Sequence, residues 1–136
     1  MKDIFKGKGI ITNNLRSLSS SEAYECCENG AIIIDVRDEY MSHIKTFDVP
    51  EIMIFTHRNL TETINELPTD KYLIFADATG IKSKYALDLA HKNGYTKIAN
   101  LAGGLVEWEK DGTPTITHQR IRVMGSKYEF IRQNKD

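Results

Sequence analysis

Cysteine is nearly absent from this chain of 136 residues: Cys26 and Cys27 are the only two, and they are adjacent. Adjacent cysteines rarely form a disulfide bond, because their side chains diverge and the closed ring would be strained. A fold held together by disulfide bonds is therefore excluded. A buried thiol has a raised pKa and acts as a small apolar residue, so packing is the expected role of both cysteines.

The chain also lacks a long apolar run and an excess of charge of one sign. No segment approaches the length of a membrane span, and a net charge of -1 gives no reason to expect nucleic acid as a partner. The first residues carry charges with no apolar segment behind them, so we expect a cytoplasmic protein without a secretory signal. The four histidines show no metal-ligand spacing, and neither a metal nor another cofactor is expected.

What the chain does contain is one stretch, Tyr72 to Leu89, around which the rest is organised. It begins with a short apolar run typical of a buried strand of a parallel sheet. Its last part is predicted to begin a helix, because four residues recur there at helical spacing: Tyr85, Ala86, Leu89 and Ala90. The loop between them directs backbone N–H groups inward beside a helix N-terminus and so forms a nest for an anion. These predicted binding-loop residues are Asp77, Ala78, Thr79, Gly80, Ile81, Lys82 and Ser83.

Strands and helices alternate along the rest of the chain. Ser19 and Glu22 fit a capping box, which predicts the start of a helix that carries the two cysteines. The predicted strands are 10–12, 31–36, 52–55, 72–76 and 97–101, and the later helices carry Leu60, Ile64 and Leu67, then Ala86, then Trp108. Such alternation predicts an α/β three-layer sandwich, with a central parallel sheet of about five strands and helices on both faces.

Three short motifs occur in order along this pattern. They are Asp35-Val36-Arg37 with an acidic residue after it, the strand-to-helix loop with Gly80 and Ser83, and the Gly103-Gly104 turn before a helix with Trp108. Each resembles a signature of the rhodanese-like sulfurtransferases, and together they span about residues 17 to 114. The resemblance implies the rhodanese-like sandwich for residues 17–114, an N-terminal extension for 1–16, and a C-terminal extension for 115–136.

The resemblance also implies a position for the nucleophile. In these enzymes the loop reads Cys-x-x-Gly-x-Arg-Ser, and its first residue is the cysteine that carries the transferred sulfur. Here Asp77 stands at that position and Lys82 replaces the arginine. A carboxylate cannot become a persulfide, so a catalytically inactive module is expected, one that binds a partner protein or a small anion through this loop.

The side chain of Asp77 suggests why the loop could be stable without a ligand. We predict that its carboxylate fills the nest, accepts hydrogen bonds from loop N–H groups and caps the following helix. The alternative is that Asp77 marks drift in a site under no functional constraint. A single sequence does not separate the two.

Two other activities stay open from the sequence. A sulfurtransferase that uses Cys26 or Cys27 needs one of them in electropositive, partly exposed surroundings. Phosphoryl or arsenate chemistry, known for phosphatases of this fold, also starts from a cysteine, and no second carboxylate is evident beside Asp77 to bind Mg²⁺.

Residues outside the loop carry two further predictions. Asp35 is either a site residue at the carboxyl edge of the sheet or the partner of Arg37 in a bond that fixes its loop; we favour the second. His43 is expected to be a packing or turn residue. Residues 115–136, with interleaved basic and apolar side chains, are expected to form a strand or helix that packs on the domain or on a second subunit, which would make a homo-oligomer.

Overall fold

The computed structural model describes residues 2–124 and 127–133, with side chains for 2–117. Its central sheet has six strands: β1 Ile10–Thr12, β2 Leu15–Leu18, β3 Ile32–Asp35, β5 Ile52–Ile54, β6 Leu73–Ala76 and β7 Ile98–Leu101. Their order in the sheet is β1-β2-β7-β6-β3-β5. Five of them are parallel, and β1 pairs antiparallel with β2 at one edge. The α/β sandwich and its parallel sheet are confirmed.

The helices cover both faces of this sheet. They are α1 Ser20–Glu28, α2 Glu39–Ile44, α3 Leu60–Thr63, α4 Ile81–Lys92 and α5 Gly104–Lys110. The capping box predicted at α1 is present: the Glu22 N–H donates to Ser19 Oγ, and the Glu22 carboxylate accepts from the Ser19 N–H. None of the helices in the described residues combines the length and apolar character needed to cross a membrane.

The core lies in two layers, one on each side of the sheet. Side chains of α1 and α5, among them both cysteines and Trp108, pack on one face. Side chains of α3, of its flanking 3₁₀ turns and of α4 pack on the other face. Strands β3, β6 and β7 are buried along their whole length. Burial on both faces explains why their sequences are mainly apolar instead of alternating, with Asp35 and Asn100 as the buried polar exceptions.

The helix predicted after the loop is present as α4, but the helical spacing that predicted it does not identify its buried face. The Tyr85 side chain is 75% exposed, whereas the buried residues of the helix are Ser83, Ala86, Leu87 and Ala90. The helix begins at Ile81, at the loop itself, and its contact with β6 and β7 fixes a rotation that places Leu87 inward. Helical spacing alone was compatible with either rotation.

A second sheet of three strands lies beside the domain. It has the order β4-β8-β9, with β4 at Lys45–Phe47, β8 at Thr115–Met124 and β9 at Lys127–Gln133. The first three residues of β8 pair antiparallel with β4, so the C-terminal segment forms a strand that joins the domain by main-chain bonds. Part of the segment assigned to the C-terminal extension, residues 125–126 and 134–136, lies outside the described residues.

Candidate functional site

The loop between β6 and α4 lies at the carboxyl edge of the parallel sheet. Asp77 follows directly after β6 and is only 4% exposed. Its Oδ1 accepts hydrogen bonds from the Gly80 N–H and, at 3.3 Å, from Ser83 Oγ; its Oδ2 accepts one from the Lys82 N–H at 2.9 Å. The predicted bonds from loop N–H groups to this carboxylate are therefore present. Asp77 occupies the donors that open the first turn of α4.

Two glycines allow this loop to pack against the start of α5. Gly80 has a φ of +91°, and a Cβ there would lie 2.9 Å from the Gly103 nitrogen. A Cβ on Gly104 would lie 2.5 Å from the Asp77 carbonyl oxygen. Contacts this short exclude any side chain, so the Gly103-Gly104 turn seen in the sequence is a close approach of two backbones.

Main-chain bonds then fix the loop from the side of α5. The Leu105 N–H donates to the Asp77 carbonyl at 2.9 Å, and the Val106 N–H donates to the Ala78 carbonyl at 3.0 Å. The Asn100 side-chain amide donates to the Gly80 carbonyl at 3.3 Å. These partners were not found by sequence reasoning, because they come from segments far apart in the chain. The loop is held in one conformation by bonds that need no ligand.

A second buried carboxylate, Asp35, ends the neighbouring strand β3. Its oxygens accept from the Arg37 guanidinium at 2.8 to 3.2 Å, from the Arg37 N–H at 3.0 Å and from Ser42 Oγ at 2.6 Å. Arg37 also donates to the Lys45 carbonyl at 2.8 Å. The preferred prediction for Asp35, a bond to Arg37 that fixes its loop, is confirmed. Ser42 was missed, since nothing local marks it as a partner.

A groove opens beside the loop, and we call it the mouth groove. Its volume is about 350 Å³, and it is lined mainly by apolar side chains of α2 and α5 together with Ala78. Tyr40, Ile44 and Val106 line it and are exposed. His43 lies on the exposed surface of α2, with Nε2 3.8 Å from Glu39 Oε1. The prediction that it is a packing or turn residue was wrong, because it is an exposed residue of a helix.

On the other side of the loop the surface forms a second, smaller depression. It has a volume of about 240 Å³ and includes His57, Lys82 and Tyr85. Lys82 is exposed, and its Nζ lies 3.4 Å from His57 Nε2. Of the remaining predicted loop residues, Thr79 and Ile81 are exposed and Ser83 is buried.

Both cysteines lie in the core, as predicted. Each is 1% exposed, and Cys26 Sγ lies 3.4 Å from the Ile4 carbonyl oxygen. Burial raises the pKa of the Cys27 thiol to about 12 and also raises the pKa of Cys26. Neither thiol has the exposure and low pKa that a nucleophile needs at neutral pH.

The arrangement has clear chemical consequences. Within residues 2–117 there is no group of three histidine, cysteine or acidic side chains that could hold a metal ion. The donors of the loop already bind a carboxylate of the chain itself. A second anion in the same place would have to displace that carboxylate or bear its repulsion.

The comparisons of this sequence with known proteins agree on one family. Residues 19–111 match the sequence model of the family described as the rhodanese-like domain. Over 82 residues the chain is 32% identical to the "Probable adenylyltransferase/sulfurtransferase MoeZ" of Mycobacterium tuberculosis, a match that covers 60% of this chain and 21% of that protein. The chain thus spans about a fifth of that relative. It is 23% identical over 106 residues to the "Sulfurtransferase" of Allochromatium vinosum, covering 78% of this chain and 96% of that protein.

Solved structures agree with the sandwich described above. A rhodanese-related protein from Thermoplasma volcanium superposes with a TM-score of 0.67 at 23% identity, over 74% of this chain and 96% of that chain. A rhodanese-like domain protein from Staphylococcus aureus gives a TM-score of 0.61 at 18% identity, over 69% and 91% of the two chains. At these identities the likeness concerns the fold.

Proposed function

This chain belongs to the rhodanese-like domain family, and from that premise we propose that it is a catalytically inactive member which binds a partner protein around its former active-site loop. One observation carries the proposal: the Asp77 carboxylate accepts the N–H groups of Gly80 and Lys82 and the hydroxyl of Ser83. In a sulfurtransferase those donors serve a sulfur anion. In this chain the same donors are hydrogen-bonded to the Asp77 carboxylate, which cannot carry sulfur.

The same observation favours a protein partner over a small anion. The carboxylate takes the N–H groups of Gly80 and Lys82 and the Ser83 hydroxyl, three donors that an anion in the loop would use. The Lys82 side chain is exposed, with its Nζ 3.4 Å from His57 Nε2. A sulfate or phosphate entering the loop would meet a like charge at close range. We therefore expect a partner to bind to the surface around the loop and not inside the loop.

That surface carries most of the exposed large hydrophobic side chains among the described residues. Of the eight large hydrophobic side chains that are exposed within residues 2–117, five surround the loop: Tyr40, Ile44, Ile81, Tyr85 and Val106. Apolar side chains grouped on one part of a surface are typical of protein interfaces, and tyrosine is enriched there. The ion pair between Lys45 and Glu109, at 2.9 Å, supplies a polar rim to the mouth groove.

The first experiment tests whether Asp77 is what blocks sulfur transfer. We expect no sulfur adduct on the wild-type chain after incubation with thiosulfate, and an added mass of one sulfur atom on the Asp77→Cys variant. Mass spectrometry of the intact protein measures both, and transfer to cyanide measures turnover. Turnover by the wild-type chain would overturn the proposal. An unmodified Asp77→Cys protein would overturn the claim that this one residue blocks the reaction.

The second experiment tests the partner surface. A photo-crosslinking amino acid placed at Val106 is expected to capture a protein that the same group at the exposed Glu62, away from the mouth groove, does not capture. The captured protein is then purified, and Tyr40→Ala is expected to weaken its binding by about tenfold or more, as for an interface anchor. Equal binding by wild type and Tyr40→Ala would contradict the proposed surface.

The second candidate function is sulfur transfer through Cys26 or Cys27, and the sulfurtransferase relatives favour it. Burial of both thiols and their raised pKa values argue against it. A double variant, Cys26→Ala with Cys27→Ala, decides the matter. If the wild-type chain transfers sulfur and the folded double variant does not, the second candidate replaces the first.

A further inference from the structure

The N-terminal segment builds a cavity at the end of the sheet opposite the Asp77 loop. Tyr72 and Lys97 stand directly before β6 and β7, at the amino ends of the parallel strands, whereas Asp77 follows β6. A strand of four residues separates the two ends by about 13 Å. We call this space, of about 430 Å³, the amino-edge cavity. Its lining includes five residues that precede the family match: Asp3, Phe5, Ile11, Asn14 and Arg16.

Aromatic rings form one part of the cavity lining. The Phe5 and Tyr72 rings meet edge to face, with centroids 4.9 Å apart and planes at 80°. Phe5 and Ile98 are buried and hold this part of the lining in place. Rigid apolar surface of this kind suits a flat, apolar ligand body, because the rings lose little freedom when they are covered.

Cations form the other part of the lining. The Arg16 guanidinium lies 5.9 Å from the Phe5 ring centroid, and Lys97 Nζ lies 5.3 Å from the Tyr72 ring centroid. Neither cation forms an ion pair with any carboxylate among the described side chains. Arg16 Nη1 donates a hydrogen bond to the Lys8 carbonyl, which holds the guanidinium in place and leaves its positive charge without a carboxylate partner. Asp3 is the only carboxylate among the described residues that line the cavity, and it accepts the Phe5 N–H at 3.0 Å. Burial, and after it the Asp3 carboxylate, raise the pKa of Tyr72.

From this combination we propose that the amino-edge cavity binds a small aromatic oxyanion, with its ring against Tyr72 and its oxyanion between Arg16 and Lys97. The volume is in the range of small-molecule sites. A guanidinium can donate two parallel hydrogen bonds to the oxygens of a carboxylate or of a phosphate. Either group could therefore be the oxyanion of the ligand. The amino-edge cavity includes no residue of the Asp77 loop. The proposed ligand site can therefore be tested separately from the proposed partner surface.

The direct test is a titration of the full chain, labelled with ¹⁵N, with four probes. Phenyl phosphate and benzoate carry ring and oxyanion, benzyl alcohol carries the ring alone, and inorganic phosphate carries the oxyanion alone. We expect saturable shifts of the Arg16, Tyr72 and Lys97 amides with at least one aryl anion, and weaker binding of the ring and of phosphate alone. Tighter binding of phenyl phosphate assigns a phosphate head, and tighter binding of benzoate assigns a carboxylate.

Two cation variants and a matched control complete the test. Arg16→Gln and Lys97→Gln are each expected to weaken binding of the better aryl anion by about fivefold to tenfold. Lys84→Gln removes an exposed cation of α4 that does not line the cavity, and it is expected to leave binding unchanged. If Arg16→Gln fails to fold, the binding affinity of Lys97→Gln is compared with that of Lys84→Gln.

Three outcomes would overturn the site. They are the absence of saturable shifts with either aryl anion, shifts confined to residues 77–83, and equal weakening by Lys97→Gln and Lys84→Gln. The first two would mean that no aromatic anion binds here, and the third that only the overall charge of the protein matters. The first and third outcomes leave the proposed function untouched, whereas the second would also count against the view that Asp77 fills the loop. The sulfur-transfer test at Asp77 is measured separately, so failure of this site and failure of the proposed function can be told apart.

Discussion

Asp35 and Asp77 are both buried at the carboxyl edge of the sheet, on neighbouring strands whose ends pair at Asp35 and Ala76. The Asp35 carboxylate is held by a cation, the Arg37 guanidinium, with Ser42 as a further donor. The Asp77 carboxylate is held by N–H groups of its own loop and by Ser83. The first is one half of an ion pair that fixes a loop. The second lies where an anion of any origin would be bound, because backbone dipoles do not distinguish a side chain from a ligand.

The largest expected effect comes from breaking the ion pair. Asp35→Ala leaves the Arg37 guanidinium buried without its carboxylate, and we expect the free energy of unfolding to fall by about 3–5 kcal/mol. Urea unfolding followed by circular dichroism measures it. The control is Asp88→Ala, which removes one partner of the exposed Asp88–Lys92 pair and is expected to cost less than about 1 kcal/mol. Similar losses for both variants would contradict the structural role of Asp35.

Asp77→Ala is expected to cost less, about 1–3 kcal/mol, because it removes an acceptor but leaves no buried side-chain charge unpaired. It should also empty the nest. We therefore expect sulfate or phosphate to raise the melting temperature of Asp77→Ala more than that of the wild-type chain. Unchanged stability near neutral pH, or equal anion effects on both proteins, would refute the view that this carboxylate fills the nest.

Ser42 and Ser83 allow the two buried carboxylates to be compared through smaller changes in stability. Ser42 Oγ lies 2.6 Å from Asp35 Oδ2, whereas Ser83 Oγ lies 3.3 Å from Asp77 Oδ1. Since both serines are buried, the shorter bond is expected to contribute more: about 1–2 kcal/mol is lost in Ser42→Ala and less than about 1 kcal/mol in Ser83→Ala. Thermal unfolding of the two alanine variants side by side tests the order, and the reverse order would count against it.

A third carboxylate, Glu22, repeats the Asp77 arrangement at a more exposed helix start. Hydrogen bonds from the Ser19 and Gly9 N–H groups lower the pKa of Glu22 below its usual value. A lowered folded-state pKa stabilises the protein above the unfolded pKa of about 4.3, and this stability is lost as the pH falls through the folded value. Glu22→Gln is thus expected to be less stable than wild type by under about 1 kcal/mol at neutral pH, with the difference vanishing in acid. A difference that stays constant down to low pH would be inconsistent with this origin.

Sequence reasoning succeeded where the partners are close in the chain. The bonds of Asp77 reach three to six residues ahead, and the Asp35–Arg37 bond spans two. Sequence reasoning failed where the hydrogen-bond partner comes from a distant segment of the chain. The Leu105 and Val106 N–H groups reach the loop from beyond β7, and the Asn100 amide reaches Gly80 from β7 itself.

The amino-edge cavity shows the same limit in another form. It brings Phe5 against Tyr72, and Arg16 into the same lining as Lys97, which are pairs separated by most of the domain. The sequence predicted strand β1. The strand is followed by Asn13 and Asn14, whose φ angles of 53° and 66° suit asparagine. The sequence did not predict β2, whose four residues carry too little pattern to mark a strand.

By itself, then, the sequence determined the alternation of the main strands and helices, the family, and the acid at the start of the loop, because periodicity, caps and short motifs are interactions between near neighbours. Only the tertiary structure decided the rotation of α4 that exposes Tyr85, the apolar surroundings of the loop and the cavity at the far edge. These depend on how crossover connections bring distant segments together, and the energy that fixes them is shared among many weak contacts.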